Sequence, residues 1–261
     1  MRKPKFSFVM PVYNRELLVE KSIQSCLDQT YSDFELVIVD DCSTDQSYKI
    51  CQGLAKKDDR IRLFRMKKNG GCGVARHYGN TKAQADIIVI ADSDDLSYPK
   101  RLEALADMYQ QNPNNAVCYT NLDLYIEETG EKQRRFFQPY VRELLYHINF
   151  IPNVSSSYKK EAYFSVEGYN KNLRISEDYD LWLQFADKNM GFSYSPLSTV
   201  CALKHAGSIR TERQNEHKNF INLVRQRHNI TKVSLEEVKQ LATQETYDFF
   251  SKEEKRQLWF T

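Results

Sequence analysis

Short apolar runs alternate with longer amphipathic stretches through the first hundred residues of the chain. The apolar runs are Phe6–Val12, Phe34–Val39, Ile61–Phe64 and Ile87–Ala91. The stretches between them, in which apolar residues recur at near-helical spacing, are Glu16–Gln29, Thr44–Lys57 and Val74–Ala83. Buried strands that alternate with helices of this length predict βαβ units and a mostly parallel α/β sheet.

The second half of the chain is less regular. Its pattern predicts a helix at Pro99–Gln110, strands at Ala116–Tyr119 and Leu122–Glu127, a helix at Asp178–Ala186, and two short strands within Phe192–Leu203 that Pro196 separates. From about Glu212 onward the sequence is charged and helical, and Ser234 with Glu237 forms a capping box ahead of a last helix. We therefore expect an α/β domain over residues 1–210 and a helical annex over residues 211–261. Residues 1–98 would be its nucleotide-binding half, and residues 99–210 would form the pocket for a second substrate.

Three carboxylates follow directly on the strand-like run that ends at Ala91. They belong to the segment Asp92-Ser93-Asp94-Asp95. Strand ends of α/β sheets are where such folds bind ligands, and acids this close together are stabilised by a divalent cation with phosphate oxygens. Part of the segment has a simpler explanation, because Ser97 can cap a helix that carries Pro99 in its first turn. That cap leaves the aspartates unexplained, so the segment is a candidate metal site.

Two further polar loops are predicted at the same edge of the sheet. One consists of Pro11, Val12, Tyr13, Asn14 and Arg15, and the other spans residues 40–45. Tyr13 can stack on a base, and Asp41 can accept a hydrogen bond from an imide such as that of uracil. Arg15, and Arg76 from a later helix, can reach phosphate oxygens. The alternative for residues 40–45 is that they only cap the next helix, so the convergence of three loops is what indicates a nucleotide site.

A second acidic cluster, Glu177-Asp178, opens the predicted helix in the second half. On a helix Asp178 shares its face with Leu181 and Trp182, which predicts that it points inward, whereas Glu177 falls with Asp180 on a more polar side. A carboxylate with a fixed position and partial desolvation suits a general base. The alternative is that both acids only complement the helix dipole.

Charge and cysteine content exclude several classes of protein. The 37 Lys and Arg residues nearly balance the 35 Asp and Glu residues, which argues against a nucleic-acid binder that relies on a basic surface. The six cysteines form no C-x-x-C pair, so we expect reduced thiols and a cytoplasmic protein. No apolar run approaches the roughly 18 to 20 residues of a membrane span. The C-terminal Leu258-Trp259-Phe260 is expected to pack on the domain or a second subunit, with peripheral contact at the inner face of the membrane as the alternative.

These motifs, in their order along the chain, resemble those of glycosyltransferase family 2. They are Phe8–Arg15, Ser25–Tyr31, Phe34–Asp45, Gly73–Arg76, Asp92–Asp95, Glu177-Asp178 and His205. The resemblance implies a GT-A fold, which is a Rossmann-like and mostly parallel sheet flanked by helices. It also implies an inverting transfer from a nucleotide-diphosphate sugar, which we expect to be a UDP-sugar, as in cell-surface polysaccharide synthesis.

The resemblance assigns roles residue by residue. Nucleotide-binding roles fall on Pro11, Val12, Tyr13, Asn14, Arg15, Asp41, Arg76, Asp92 and Ser93. Asp94 would ligate Mn²⁺ or Mg²⁺ on the diphosphate, and His205 would help to hold the metal or the diphosphate, although a lone histidine is more often structural. Asp178 matches the family's catalytic base. The chain departs from the family pattern at Cys42, where glycine is frequent, and at His77, where asparagine is usual.

Three questions stay open at the level of sequence. The acceptor, a saccharide or a lipid-linked molecule, should be recognised by residues 131–157, which carry no interpretable motif. A homodimer through the C-terminal helices is possible. The alternative functions are a metal-dependent nucleotidyltransferase and a non-catalytic sugar-nucleotide binding module. The first would require a glycine-rich loop where this chain has Pro11-Val12-Tyr13-Asn14, and the presence of both Asp94 and Asp178 argues against the second.

Overall fold

The computed structural model of the chain describes residues 3–207, 214–252 and 259. The strands are β1 (Phe6–Val12), β2 (Phe34–Asp40), β3 (Ile61–Arg65), β4 (Ile87–Ile90), β5 (Leu96–Ser97), β6 (Val117–Ile126), β7 (Glu131–Arg135), β8 (Ser157–Lys159) and β9 (Phe192–Lys204). The helices are α1 (Val19–Leu27), α2 (Ser47–Ala55), α3 (Cys72–Lys82), α4 (Arg101–Gln111), α5 (Arg142–His147), α6 (Lys160–Phe164), α7 (Glu177–Asp187), α8 (Gln214–Arg227), α9 (Leu235–Leu241) and α10 (Gln244–Ser251).

The described strands form one sheet in the order β3-β2-β1-β4-β8-β6-β9-β5, with β7 beside β6. Strands β1 to β4 pair in parallel, and β6 pairs in parallel with β9. The short strand β8 is antiparallel to both β4 and β6. The predicted α/β class with a mostly parallel sheet is confirmed. Because β1, β2 and β4 run in the same direction, their carboxyl ends meet at one edge of the sheet.

Helices cover both faces of this sheet, which explains why its first strands are apolar throughout. Along β1, Phe8 and Met10 pack on the side of α1 and α4, whereas Val9 packs on the side of α3 and α7. All three side chains are fully buried. Burial of each such side chain contributes roughly 1.5–3 kcal/mol, so the two apolar layers hold the strand ends in fixed positions.

Ser97 does not cap a helix, contrary to the sequence-based expectation. It lies in β5, and α4 begins only at Arg101, with Lys100 at its N-cap position. The Ser97 hydroxyl instead accepts a hydrogen bond from Arg101 Nη1 at 3.0 Å. The guanidinium of Arg101 is buried, and it takes the hydroxyl together with the carbonyl oxygens of Ile90 and Val154 because a buried cation needs acceptors.

The two pairs of short strands predicted in the second half are single long strands. β6 and β9 pair along most of their length, with shifts of register between Thr120 and Asp123. Pro196 lies within β9 near this irregularity, where the ladder is already interrupted. A bulge thus accommodates a residue that sequence analysis treats as a strand breaker.

The C-terminal helices pack against α5 and α7. Ser234 caps α9 as predicted, since its hydroxyl accepts the Glu237 N–H at 3.2 Å. Trp259 is buried and meets the ring of Tyr179 edge-on at 5.4 Å between centroids, whereas Leu258 and Phe260 lie outside the described residues. The division into domains at residues 98 and 210 stays a prediction. Among the described helices, none has both the length and the apolar composition needed to cross a bilayer.

Gly79 is the point of closest approach between α3 and β1. A Cβ atom at this position would clash with Val9 Cγ1 and lie 3.3 Å from Val39 Cγ2. Gly79→Ala should therefore lower the free energy of unfolding by about 1–3 kcal/mol, as overpacking of a core does. Gly53→Ala in α2 is the control, because no atom lies within 4 Å of the new Cβ, and it should raise stability by up to about 1 kcal/mol. Urea unfolding of both variants measures these changes, and equal changes in the free energy of unfolding would contradict the predicted clash at Gly79.

Candidate active site

The loops after β1 and β2 are fastened to each other. The Asn14 N–H donates to Ser43 Oγ at 3.1 Å, and the Asn14 side-chain oxygen accepts the Thr44 N–H at 2.9 Å. Asn14 has a φ of 50°, which asparagine tolerates better than most residues. Next to it, the Tyr13 side chain is 43% exposed, so its ring is accessible to a ligand. Ser43 and Thr44 thus hold the first loop instead of capping α2, whose N-cap position is Gln46.

Asp41 anchors a glycine turn at the same edge. Its two carboxylate oxygens accept the backbone N–H groups of Gly70 at 2.8 Å and Gly71 at 2.7 Å. Gly71 has a φ of 90°, a conformation that favours glycine. Burial raises the pKa of Asp41, and the two backbone hydrogen bonds oppose that rise. A carboxylate has about four acceptor positions, so the predicted contact with a base stays compatible with this arrangement.

Asp94 is the meeting point of three predicted site residues. Its Oδ2 atom lies 3.0 Å from Arg15 Nε and 3.1 Å from His205 Nε2. Arg15 also donates to the carbonyl oxygen of Gly207 at 3.0 Å. Residues that are more than a hundred positions apart therefore converge where the sequence predicts the diphosphate and the metal.

The donor set around Asp94 fits a cation only in part. Within residues 3–207, 214–252 and 259, no three His, Cys, Asp or Glu side chains are grouped so that they would hold a metal ion. Asp94 Oδ2 and His205 Nε2, which lie 3.1 Å apart, are two adjacent atoms of types that can bind a cation. Mg²⁺ takes six ligands, keeps several waters and is commonly bound by one or two carboxylates together with substrate phosphates. The residues present therefore fit a cation that is shared with a diphosphate, not one that the protein encloses alone.

Asp95 supports the acidic loop from behind. Its Oδ1 atom accepts the Leu203 N–H at 2.7 Å, which joins the loop to β9 two residues before His205. Burial raises the pKa of Asp95 well above its usual value, and the neighbouring Asp94 and Asp92 add to the rise. Ser93, a predicted nucleotide contact, is buried between these acids.

Arg76 connects the acidic loop to α7. The side chain is 1% exposed, and its Nη2 atom lies 2.7 Å from Asp92 Oδ1 while Nη1 lies 3.4 Å from Glu177 Oε1. The guanidinium also stacks over the ring of Tyr169, 5.3 Å from the centroid. Arg76 is thus occupied by protein carboxylates, and its predicted contact with the nucleotide stays a prediction.

Burial and crowding of the acids change their protonation. Burial raises the pKa of Asp92, and the charges of Asp94 and Asp178 add to the rise while Arg76 opposes it. Burial likewise raises the pKa of Glu177 to about 7, again against the effect of Arg76. Glu177 therefore titrates close to neutral pH at the point where the acidic loop and α7 meet.

Asp178 is half-buried, and Asn149 holds one side of it. Asn149 Nδ2 donates to Asp178 Oδ2 at 3.1 Å. The expectation that Asp178 points inward while Glu177 and Asp180 take a polar side is wrong, because those two residues are the more deeply buried. The polar side of α7 is enclosed as well, since Arg76 covers Glu177 and Arg227 with His228 covers Asp180. Asp178 is consequently the acid of this turn that solvent or a substrate can reach.

Comparison with known proteins identifies the family of the chain. The profile described as Glycosyl transferase family 2 matches residues 7–166, which is more than half of the chain. The chain belongs to glycosyltransferase family 2. The O-antigen biosynthesis glycosyltransferase WbnJ of Escherichia coli is 32% identical over 205 residues, a match that covers 76% of this chain and 78% of WbnJ. For several other curated relatives the match covers only 20% to 45% of the relative's length.

Solved structures share the fold of this family 2 chain. TarS 1–349 of S. aureus in complex with UDP-GlcNAc is 19% identical, with a TM-score of 0.71 over 98% of this chain and 78% of TarS 1–349. A mannosyltransferase of Pyrobaculum calidifontis in complex with GDP-Man and Mn²⁺ is 14% identical, with a TM-score of 0.68 over 96% of this chain and 70% of the other. At these identities the likeness concerns the fold alone, which is the GT-A arrangement that the resemblance implied.

Sequence reasoning missed Asn149 and misjudged the burial of Glu177. Asn149 lies in the segment without a recognisable motif, and only its contact with Asp178 singles it out. Glu177 was read as a more exposed neighbour of Asp178, although it is 8% exposed and paired with Arg76. The juxtaposition of Arg76 and Glu177 is a contact across 101 positions in sequence, and no local pattern signals it.

The raised pKa of Glu177 predicts a slope in stability. Between its ordinary value of 4.5 and about 7, the folded state keeps a proton that the unfolded chain has lost. The free energy of unfolding should therefore fall as pH rises through this window, by at most about 1.4 kcal/mol per pH unit. Glu177→Gln should flatten the slope, and the exposed Glu128→Gln should leave it unchanged. Urea unfolding between pH 5 and 7 checks this, and equal slopes in all three proteins would refute it.

Proposed function

We propose that this chain transfers a sugar from a nucleotide-diphosphate donor to a hydroxyl group of a saccharide or lipid-linked acceptor, with inversion at the anomeric carbon. The observation that carries the proposal is the position of Asp178. It is the accessible acid of its helix turn, and its charge acts on Asp92 in the acidic loop. A base therefore lies beside the loop on which the donor is expected to bind.

A UDP-sugar is the proposed donor. Support comes from the shared fold with TarS, whose structure contains UDP-GlcNAc, and from the accessible ring of Tyr13 in the loop after β1. The relationship to WbnJ supports a place in the synthesis of a cell-surface polysaccharide. The sugar and the acceptor are left unassigned by this proposal.

Asp94 and His205 would hold a divalent cation, Mn²⁺ or Mg²⁺, together with the diphosphate. Such an ion supplies Lewis-acid stabilisation of the charge that develops on the leaving diphosphate. Arg15 Nε lies 3.0 Å from Asp94 Oδ2. Its guanidinium can therefore also donate hydrogen bonds to the diphosphate oxygens when Asp94 binds the divalent cation. The Mn²⁺ in the Pyrobaculum structure supports the use of a divalent cation.

The reaction proposed for the chain's own residues is a single displacement. Asp178 accepts the proton of the acceptor hydroxyl while that oxygen forms a bond to the anomeric carbon. The bond from the anomeric carbon to the diphosphate oxygen breaks on the opposite face, and the diphosphate leaves with the electron pair. Asn149 occupies Asp178 Oδ2, which leaves Oδ1 to accept the proton.

The alternative functions receive less support. A nucleotidyltransferase is disfavoured because the family profile is that of sugar transferases and the β1 loop carries no glycine. A non-catalytic binding module would retain the donor site yet have no use for an accessible acid at residue 178. Turnover of a UDP-sugar distinguishes the proposed transferase from such a binding module.

Asp178→Asn tests the base. Asparagine has nearly the same shape and can still accept the hydrogen bond of Asn149, but it takes up no proton. Transfer should fall by about 10²- to 10⁴-fold, as loss of a general base does, while the affinity for UDP stays within about twofold. The exposed Asp107→Asn in α4 is a control that should keep the transfer rate. Retention of most of the rate in Asp178→Asn would remove the assignment.

Asp94→Asn tests the cation. In the unaltered protein, UDP should bind at least about 10-fold more tightly with Mn²⁺ than with EDTA, because the diphosphate supplies the remaining ligands. The substitution should abolish this difference, whereas the exposed Asp86→Asn should preserve it. Isothermal titration of UDP into each protein measures the effect, and an undiminished response to Mn²⁺ in Asp94→Asn would contradict the role of Asp94.

A further inference from the structure

The helix that carries Asp178 is held by two cationic side chains of the C-terminal annex. Asp180, two residues after Asp178, is 0% exposed. Its Oδ1 atom lies 2.9 Å from Arg227 Nε and 3.1 Å from His228 Nε2. Its Oδ2 atom accepts a hydrogen bond from Gln184 Nε2 at 2.7 Å. Both oxygens of this buried carboxylate therefore have partners, Oδ1 in the C-terminal annex and Oδ2 in α7 itself.

His228 contacts both the first turn and the last residue of α7. While Nε2 faces Asp180 in the first turn, Nδ1 lies 2.7 Å from Oδ2 of Asp187, the last residue of the helix. The histidine side chain is 5% exposed. Ionised carboxylates only accept hydrogen bonds, so two such contacts require a proton on each ring nitrogen. The geometry therefore calls for an imidazolium between two carboxylates.

We propose that His228, held as an imidazolium, is a positioning residue that clamps α7 and thereby makes the C-terminal annex part of the transfer site. This inference rests on the proposed role of Asp178. Asp180 lies in the same turn as Asp178, and its N–H donates to the Ser176 carbonyl, so displacement of Asp180 displaces the base. The family profile ends at residue 166, and the clamp lies wholly outside it.

The same cluster fixes the segment that leads into α7. Gln184, which donates to Asp180, also accepts the Gly168 N–H at 3.1 Å and donates to the Gly168 carbonyl at 3.0 Å. Gly168 has a φ of 73° and lies against the ring of Tyr163, so it has little room to move. Loss of the cation opposite Asp180 would leave a buried charge that only Arg227 and Gln184 compensate, and α7 would have to shift to solvate it.

The charged and titratable groups around His228 come from four segments. They are Asp180 and Asp187 of α7, Arg227 of α8, Glu167 before α7, which pairs with Arg227 at 2.6 Å, and Tyr146 with Arg142 of α5. The Tyr146 hydroxyl donates to the other oxygen of Asp187 at 2.6 Å. Burial lowers the pKa of His228, but the hydrogen bonds and charges of Asp180 and Asp187 outweigh burial and raise it above its usual value of 6.5.

The sign of the pH dependence follows from this balance. A histidine whose pKa is higher in the folded state contributes its full stabilisation below 6.5. That stabilisation is lost as pH rises through the raised pKa. The clamp is therefore closed at mildly acidic pH and weakens on the alkaline side.

The protonation of His228 is measured first, on the full chain and without any substrate. NMR titration of the ¹⁵N-labelled imidazole, assigned by comparison with His228→Gln, should give two protonated nitrogens at pH 6 and a pKa above 6.5. Asp187→Asn removes one of the two charges and should lower that pKa. A value at or below 6.5 in the unaltered protein, or no shift in Asp187→Asn, would overturn the imidazolium. This arm does not depend on transferase activity, so it separates a failure of the clamp from a failure of the proposed function.

The positioning role is measured by exchange and by kinetics. In His228→Gln, amide hydrogen exchange of α7 at pH 6 should accelerate about 10-fold or more, and kcat should fall by a similar factor while the affinity for UDP stays unchanged. In Asp187→Asn, the decline of kcat with rising pH should begin at a lower pH than in the unaltered protein. Glu167→Gln is the matched control, because it removes only the exposed end of the cluster and should preserve both measurements. Unchanged hydrogen exchange and unchanged kcat in His228→Gln would refute the positioning role. If His228→Gln fails to fold, the pH at which kcat declines in Asp187→Asn tests the role instead, and a decline at the same pH as in the unaltered protein would refute it.

Discussion

The ion pairs of the buried Arg76 are the interaction on which the rest of the site depends. Asp92 belongs to the loop after β4 and Glu177 begins α7, so one guanidinium joins the acidic loop at the edge of the sheet to the helix that carries Asp178. Removal of one partner from a buried ion pair typically costs 3–5 kcal/mol, because the other charge is left in a medium of low polarity. The acids can therefore be concentrated at this edge only because a cation lies within the protein between them.

Three acids in the first turn of α7 illustrate how position, not residue type, separates the roles of similar side chains. Glu177 contacts Arg76, Asp178 receives one hydrogen bond from Asn149, and Asp180 is enclosed by Arg227 with His228. The first and last of these acids are committed to holding the helix. The middle one keeps an unoccupied oxygen and access from outside, which are the two properties that proton transfer requires. Support from both sides of the helix gives this one carboxylate a fixed direction.

The same logic operates at the acidic loop. Asp95 is bound to the backbone of β9, and Asp94 is directed toward Arg15 and His205. These contacts join the ends of β1, β4 and β9, so the loop is positioned by the sheet and not by its own conformation. A site assembled in this way has its geometry before any ligand arrives, which reduces the ordering that binding of a diphosphate and its cation would otherwise require.

The sequence by itself determined the alternation of strands and helices, the parallel half of the sheet, the three loops at its edge and the family, because each depends on short apolar runs and local motifs. It did not determine which face of α7 is buried, since nine of its eleven residues are buried and little solvent-facing surface is left for a pattern to reveal. The sequence also assigned Ser97 to a helix cap, whereas its hydroxyl accepts a hydrogen bond from the buried Arg101. It divided β6 and β9 into shorter strands, whereas the two pair as long strands in spite of Pro196. The roles of Asn149 and His228 likewise left no local pattern in the sequence. Their roles arise from contacts with α7 across 29 and 48 positions, and only the tertiary structure brings those groups together.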